Sequence, residues 1–303
     1  MNYKKIIRSR SIRAKILSLL NWIPDRIMIP LQYRIHTGRK LNLKNPQRFT
    51  EKIQVYKLKY RNPVMLQCTD KYTVREYVAE KGLADILIPL IGIYNSPDEI
   101  DFDSLPNQFV AKTNDGGGGN QVFICREKGS IDKQVFITTL KHWMSQPKPK
   151  KHSGREWAYE NCQPRRIILE QLITDGKSNE ILDYKFFCFS GKIGFVYGIS
   201  DRQFGQSAKI GIYDRDFNKI DVYRTDERPQ ETPLPKPINY DFMRKIAECL
   251  SSEFPEVRVD LYNINGKIYF GELTFYDGSG YMGFEPDSFD FEAGNYFDVS
   301  LFN

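Results

Sequence analysis

Hydrophobic and polar positions follow two different patterns along the chain. Between residues 51 and 82, apolar residues recur every three or four positions, which predicts helices, and Gly82 is a typical helix stop. From Phe109 onward, short apolar runs bounded by glycine, proline and asparagine predict strands. We predict strands at 109–113, 121–125, 166–173, 184–189, 193–199, 208–213, 257–263 and 267–274, and helices near 131–145 and over 240–251. The pattern predicts an α+β fold with at least two layers and largely antiparallel sheets.

Four consecutive glycines separate the first two predicted strands. The loop at residues 116–119 has no side chains, so its function must come from backbone N–H groups that close over an anion, and a nucleoside triphosphate fits best. It is not a P-loop or a Rossmann fingerprint, because the glycines join two strands instead of opening a helix. It is not a protein-kinase loop, because Lys112 precedes the glycines. The alternative is a glycine-rich hairpin beside a solvated lysine.

Residues 257–274 predict a charged β-hairpin with two alternative registers. A two-residue turn at 265–266 would place Asp260 and Glu272 on opposite faces. A four-residue turn at 263–266 would bring four polar residues to one face, namely Arg258, Asp260, Glu272 and Thr274. Two carboxylates beside an arginine suit Mg²⁺ and phosphate oxygens. The alternative is an ordinary surface salt bridge.

Two further strands carry charged residues among apolar ones. Glu170 lies in the middle of strand 166–173, where burial is costly unless the carboxylate has a partner. An edge of this strand would offer backbone groups to an adenine ring. Asp183 and Lys185 share one face of the next strand, which suits a hydroxyl-binding acid and a phosphate-binding lysine. For this pair taken alone, a cross-strand ion pair is the favoured interpretation.

The net charge of +6 is unevenly distributed. Residues 1–40 contain ten Lys and Arg and one acid, whereas the chain after Lys267 contains seven Asp and Glu and no Lys or Arg. Because the basic residues are local, we expect no nucleic-acid binding. Apolar residues at helical spacing among the N-terminal cations predict either a basic amphipathic helix on an anionic membrane or a helix packed on its own domain; these residues are Ile12, Ile16, Leu19 and Leu20.

The cysteines and the hydropathy of the N-terminus bear on localisation. The five cysteines are odd in number, are widely spaced and contain no Cys-x-x-Cys pair, which predicts a reducing compartment. No uncharged stretch of 18 residues follows the basic N-terminus, so no transmembrane helix is predicted. We therefore expect a cytoplasmic protein, with peripheral contact to the inner face of the plasma membrane if the N-terminal helix binds lipid.

The order of these motifs resembles the ATP-grasp superfamily, and most closely the TupA-like ATP-grasp family of bacterial surface-polysaccharide gene clusters. The order is a lysine-bearing strand, a glycine flap, a hinge strand that contains a glutamate, and an Arg-x-Asp and Glu hairpin near the C-terminus. The resemblance covers residues from about Leu31 to about Gly283 and rests on residues 45–53, 70–75, 88–92, 109–119, 183–189 and 259–272.

The resemblance implies a nucleotide site. Lys71 and Lys112 would contact the phosphates of ATP, and a glycine flap would fold over them. A hinge after Glu170 would hold adenine, and Glu180 or Asp183 would bind the ribose hydroxyls. The flap residues are Gly116, Gly117, Gly118 and Gly119, and the hinge residues are Gln171, Leu172 and Ile173.

It also implies a metal site and catalytic cations. Asp260 and Glu272 would bind Mg²⁺, and Arg258 would steady the transferring phosphate, with Lys185 as a second catalytic cation. Thr274 stands where many ATP-grasp enzymes have an asparagine ligand, which counts against a second Mg²⁺. The implied fold has two α+β subdomains that clasp ATP and a helical N-terminal region. The expected segments are 1–105, 106–173 with the flap, and 174–303 with the metal hairpin and acceptor cleft.

The implied reaction is ATP-dependent carboxylate–amine ligation. Such enzymes transfer the γ-phosphate to a carboxylate, and an amine then attacks the acyl-phosphate, so that an amide, ADP and phosphate form. The expected substrates are an amine donor and a polysaccharide or uronic-acid acceptor, as in capsule or O-antigen synthesis. One alternative is a glycosyltransferase, for which Asp-x-Asp pairs at 101–103 and 214–216 are candidates. Others are kinase-type transfer to a sugar hydroxyl and a non-catalytic sugar-binding module.

Overall fold

The computed structural model describes residues 19–117, 121–147, 153–160, 164–176, 181–201 and 208–302. Its helices are α1 (Asp25–Thr37), α2 (Phe49–Lys59), α3 (Val64–Thr69), α4 (Val74–Glu80), α5 (Lys133–Ser145), α6 (Trp157–Glu160), α7 (Tyr240–Ser251) and α8 (Ser288–Tyr296). Its strands are β1 (Leu90–Tyr94), β2 (Phe109–Thr113), β3 (Val122–Cys125), β4 (Ile167–Gln171), β5 (Asp183–Phe189), β6 (Lys192–Ser200), β7 (Lys209–Tyr213), β8 (Tyr223–Arg224), β9 (Arg228–Pro229), β10 (Val257–Ile264), β11 (Lys267–Thr274) and β12 (Phe284–Glu285).

The chain forms two compact units. The large unit comprises Met1–Asn62, Pro149–Glu160 and Glu180–Asn303, and the small unit comprises Pro63–Lys148 and Asn161–Asn179. These boundaries differ from the three contiguous segments expected from the sequence. The reason is long-range pairing: β1 pairs with β4, so residues before 106 become part of the small unit.

The small unit is a four-stranded antiparallel sheet covered by α5. The strand order is β1-β4-β2-β3. Alternate residues of β2 are buried, and Phe109 lies edge-on to Phe136 of α5, with ring centroids 5.6 Å apart. Because neighbouring residues of a strand point to opposite faces, Lys112 lies on the face away from α5. The register pairs Lys112 with Ile168 and Val110 with Glu170, which places Glu170 on the same face as Lys112.

The large unit is built on a six-stranded sheet in the order β11-β10-β5-β6-β7-β9. All of its named pairings are antiparallel except β7 with β9. Every residue of β5 is buried, because helices pack on both faces: Phe186 stacks on Tyr240 of α7, while Phe187 meets Phe49 of α2 edge-on. Odd-numbered residues of β5 therefore face α2.

The segment at residues 45–53 holds helices α2 and α8 of the large unit together. Arg48 donates from Nη2 to Asp287 Oδ2 at 2.7 Å, and the Thr50 amide donates to Asp290 Oδ1 at 3.0 Å. Glu51 accepts from the Arg48 amide at 3.3 Å, which caps the N-terminus of α2. This part of the family-like sequence pattern thus stabilises the packing of α2 on α8. Among the described residues, no helix is long and apolar enough to cross a membrane.

Candidate active site

The β10–β11 hairpin brings its charged residues together through a bulge. Ile264 pairs with Lys267, so the connection is the two-residue turn, with Asn265 and Gly266 both at positive φ. The four-residue turn is therefore wrong. The two-residue turn alone would separate Asp260 from Glu272, but the register shifts at Gly271 and places these two carboxylates opposite each other.

Gly271 is suited to that bulge because the two strands approach closely there. A Cβ at this position would lie 3.0 Å from the Asp260 carbonyl oxygen and 3.2 Å from Cε2 of Tyr262. Both distances are below ordinary van der Waals contact, so any larger residue would push the strands apart. The common face of Asp260 and Glu272 thus depends on a glycine that the alternation of polar residues does not reveal.

Arg258 is the centre of a buried ion cluster on the α2 side of the sheet. Its Nε and Nη2 donate to the two oxygens of Asp260, both at 2.7 Å. Nη2 also lies 3.3 Å from Glu272 Oε1 and 3.0 Å from Thr274 Oγ1. Burial lowers the pKa of Arg258, but Asp260 and Asp277 outweigh this effect and raise it well above its ordinary value. The guanidinium is therefore permanently charged, as a phosphate-binding group must be.

Lys185 extends the cluster along β5. Asp260 and Lys185 are directly opposite each other on β10 and β5, and their side chains form an ion pair. Lys185 Nζ also lies 2.8 Å from Asp183 Oδ2. The ion pair expected for Asp183 and Lys185 is therefore present, and it is shared with Asp260. The catalytic role of Lys185 and the ribose-binding role of Asp183 remain predictions.

Two members of the cluster were not among the candidate residues. Asp277, which follows β11, accepts from Arg258 and also from Arg224 Nη1 at 3.2 Å. Arg224 is held in turn by Asp226, at 2.9 Å from Nε and 2.7 Å from Nη2. Asp277 thus orients Arg258 from the side opposite Asp260. The sequence shows only an acidic, aromatic segment at this point, so its pairing with β10 could not be inferred.

The carboxyl group of Glu256, next to β10, has a different environment. Its side chain is fully buried, and within the described residues neither oxygen has a hydrogen-bond partner. Burial and the nearby Asp277 raise the pKa of Glu256 well above its ordinary value of 4.5, although Arg258 opposes the shift. Folding therefore favours the protonated form of this carboxyl group.

This burial makes stability depend on pH. Above pH 4.5 the unfolded chain releases the Glu256 proton, whereas the folded chain releases it only at higher pH, so stability falls as pH rises through this interval. We expect Glu256→Gln, which mimics the protonated group, to be more stable than the natural chain at pH 8 and equally stable at about pH 4. Urea unfolding at both pH values checks this. Glu253→Gln, at an exposed position, is the control, and an equal gain in both variants would contradict the assignment.

In the small unit, Glu170 holds two cations. Its Oε2 lies 2.5 Å from Lys112 Nζ, and its Oε1 lies 3.3 Å from Arg75 Nη1. The glutamate is buried, and the pairing supplies the partners that its burial requires. Arg75 was not a candidate residue; it is the last residue of the Asp70–Arg75 motif. Two cations on one sheet face are suited to the phosphates of a nucleotide.

The loop after β2 is supported by Asp70 and Asn114. Asn114 Nδ2 donates to Asp70 Oδ2 at 2.6 Å, and both residues are fully buried. Asp70 also accepts from the amides of Tyr72 and Thr73 at 2.7 and 3.1 Å. The neighbouring Lys71 donates through Nζ to the Gly116 carbonyl. This arrangement brings Lys71 to the start of the glycine run.

Only some of the residues predicted to bind the nucleotide lie in the described part of the chain. Gly116 and Gly117 follow β2, whereas Gly118, Gly119 and Glu180 lie outside the described residues. The Gln171 amide donates to the Pro89 carbonyl at 3.0 Å, so it is not available to adenine. In the part that the structure describes, the backbone groups of Leu172 and Ile173 form no hydrogen bonds. They are therefore the better candidates for contacts with the edge of a base.

The donor set at the hairpin is suited to Mg²⁺ only when other ligands complete it. Over the described ranges, no three His, Cys, Asp or Glu side chains are grouped closely enough to hold a metal ion. Asp260 and Glu272 provide two carboxylates, and 42% of the Glu272 side chain is exposed. Mg²⁺ is commonly held by one or two carboxylates together with phosphate oxygens and water, so the pair fits this cation.

Comparison with known proteins places this arrangement in a family. The model of the TupA-like ATP-grasp family matches residues 51–298. The chain belongs to the TupA-like ATP-grasp family. Its fold is accordingly the ATP-grasp fold. Among curated proteins, no match was found.

The chain is also similar to solved ATP-grasp ligases at low sequence identity. It is 18% identical to D-alanine–D-alanine ligase from Bacillus anthracis, with a TM-score of 0.40, over 69% of this chain and 57% of that one. It is 12% identical to the Helicobacter pylori enzyme of the same name, with a TM-score of 0.43, over 82% of this chain and 69% of that one. It is 13% identical to L-amino acid ligase from Bacillus licheniformis, with a TM-score of 0.42, over 73% of this chain and 44% of that one. This chain thus spans little more than half of the first of these ligases.

Proposed function

We propose that this TupA-like ATP-grasp protein is an ATP- and Mg²⁺-dependent carboxylate–amine ligase that amidates a uronic acid of a bacterial cell-surface polysaccharide or its lipid-linked precursor. The observation that carries the chemistry is the buried, permanently charged Arg258 held beside two carboxylates on one sheet face. Preorganised charge of this kind stabilises phosphoryl transfer without a protein nucleophile.

The small unit contains residues suited to binding a nucleotide. In the small unit, Lys112, Lys71 and Arg75 would bind phosphate oxygens, and the backbone groups of Leu172 and Ile173 would bind the adenine edge. ATP would supply the γ-phosphoryl group, and Mg²⁺ bound with it would neutralise the charge of the phosphates.

In the large unit, Arg258 would stabilise the transferring phosphoryl group, while Asp260 and Glu272 would hold Mg²⁺. Lys185 already pairs with Asp260 and would keep that carboxylate oriented. The bond between the γ-phosphorus and the β-phosphate oxygen breaks as a substrate carboxylate oxygen takes the phosphoryl group, and ADP leaves. The amine then attacks the acyl carbon, the carbon–oxygen bond to phosphate breaks, and the amine loses a proton.

The test is nucleotide turnover by the purified full-length chain. With ATP, Mg²⁺, a uronate and an amine, we expect ADP and phosphate to form only when both co-substrates are present, together with an amide detectable by mass spectrometry. A phosphorylated sugar would instead indicate kinase-type transfer. Formation of AMP, or no binding of ATP, would contradict the proposal.

Within the described residues, no observation favours a glycosyltransferase. The candidate Asp-x-Asp pairs serve as local turn caps: Asp101 accepts from the Asp103 amide at 3.2 Å. Asp214 accepts from the amides of Asp216 and Asn218 at 2.9 and 2.8 Å. Carboxylates engaged in this way satisfy their own backbone turns. Stronger thermal stabilisation by a nucleotide-sugar than by ATP would reverse this preference.

A further inference from the structure

Helix α1 has an apolar face that the described residues of the large unit leave exposed. Ile27, Leu31 and Ile35 are spaced four residues apart and remain exposed, and Leu19 and Trp22 are exposed just before the helix. The exposed fractions of these five residues lie between 41% and 79%. Large apolar side chains that recur at this spacing form one continuous stripe along a helix. We call these five residues the α1 apolar face.

The opposite side of α1 is fixed to the large unit, so the stripe is not a consequence of a loosely attached helix. Met28, Ile29 and Tyr33 are buried, and the Tyr33 hydroxyl lies 3.0 Å from Thr50 Oγ1. Gln32 Nε2 donates to the Ser153 carbonyl at 2.9 Å. Because one side is anchored by both packing and hydrogen bonds, α1 cannot rotate to bury its exposed stripe.

A buried arginine fixes the segment that precedes α1. Arg155 is almost fully buried and donates to the carbonyl oxygens of Leu20 and Ile23 at 2.8 and 3.0 Å. It also pairs with Asp25 at 3.1 Å. The segment is thereby held in a conformation that presents Trp22 outward. The contacts of Arg155 therefore fix the exposed position of Trp22.

Charge complementarity indicates what covers this face. Asp25 is the one acid among the first 40 residues, which contain ten Lys and Arg, and its charge is paired with Arg155. Arg26 and Arg34 are exposed on the same helix, and Lys40 is exposed just after it. An apolar stripe flanked by cations, with a tryptophan at its edge, is the composition of helices that lie in the interface of an anionic bilayer.

We propose that the α1 apolar face binds the surface of an anionic lipid bilayer. The apolar side chains enter the boundary between headgroups and acyl chains, and the cations contact the lipid phosphates. A second copy of the chain fits less well, because stable interfaces involve about 20–30 residues per side and like charges would face each other. The proposal is independent of the ligase reaction.

Vesicle co-sedimentation of the full-length chain tests the proposal. We expect binding to vesicles of phosphatidylcholine with phosphatidylglycerol, and roughly 10-fold weaker binding to phosphatidylcholine alone or at high salt. Leu31→Glu/Ile35→Glu should weaken binding by about 10-fold or more, because both substitutions place anions in the stripe. Val135→Glu/Phe242→Glu is the matched control, since both residues are exposed on other helices, and it should bind like the natural chain.

Several results would overturn the proposal. Absence of vesicle binding would do so, as would binding that Leu31→Glu/Ile35→Glu leaves unchanged or that the control weakens equally. Equal binding to neutral vesicles would remove the role of charge. A concentration-dependent dimer in sedimentation velocity that this variant converts to monomer would assign the face to a second copy. ADP formation with water-soluble substrates should stay unchanged in the variant, which separates this test from that of the ligase reaction.

Discussion

Glu272→Gln should reduce ATP-dependent ADP release by about 100-fold or more, with little effect on folding. The substitution removes one negative charge at nearly constant shape, and 42% of the Glu272 side chain is exposed, so the fold does not depend on it. The loss follows if Glu272 binds the Mg²⁺ that neutralises the phosphates. The measurement is steady-state ADP formation over a range of Mg²⁺ concentrations, and half-saturation should move to higher Mg²⁺.

The matched control is Glu292→Gln, an exposed glutamate on α8 in the same unit. It makes the same chemical change away from the ion cluster and should leave both the rate and the Mg²⁺ dependence as they are. Thermal unfolding of both variants confirms that differences in activity do not reflect differences in folding. If Glu272→Gln kept the natural rate and Mg²⁺ dependence, the metal-binding role of Glu272 would be wrong.

Arg258→Met should destabilise the protein by about 3 kcal/mol or more. Arg258 is buried and donates to Asp260 and Asp277, so its removal leaves two buried carboxylates with reduced compensation. Asp260 would remain paired with Lys185, and Asp277 with Arg224, which limits the loss of stability. Activity should also disappear, since no guanidinium would remain to bind the phosphoryl group.

Urea unfolding measures the effect, and Arg215→Met is its control. Arg215 pairs with Glu248 at 3.0 Å, but 53% of its side chain is exposed, so its removal should cost at most about 1 kcal/mol. The double variant Arg258→Met/Asp277→Asn should recover part of the lost stability, because Asp277→Asn removes a buried negative charge that Arg258 no longer compensates. Equal losses for Arg258→Met and Arg215→Met would show that the cluster is not electrostatically coupled.

The local pattern of the sequence was sufficient for most of the regular elements. The strands expected at 109–113 and 267–274 are β2 and β11 with the same bounds, and the expected helix at 240–251 is α7. Strand β1 was missed, because its apolar residues follow a proline-containing segment that does not alternate. The strand expected at 166–173 ends at Gln171, since an apolar run does not show where pairing stops.

The candidate site was predictable only in part. The sequence singled out Lys112 and Glu170 separately, but not their ion pair, which requires β2 and β4 to be neighbours. It left the register of the β10–β11 hairpin open, and the bulge at Gly271 decided it. Asp277 was missed because its only connection with Arg258 is spatial.

By itself, the sequence determined most of the elements, the glycine run that follows Lys112 and the family to which the chain belongs, because these depend on residues close together in the chain. Only the tertiary structure decided which charges meet. Arg258, Asp260 and Lys185 form one cluster because β10 pairs with β5, which lies about seventy residues earlier, and Asp277 joins them after β11. Such pairings are set by the competition among all strands for partners, and no local pattern contains that information.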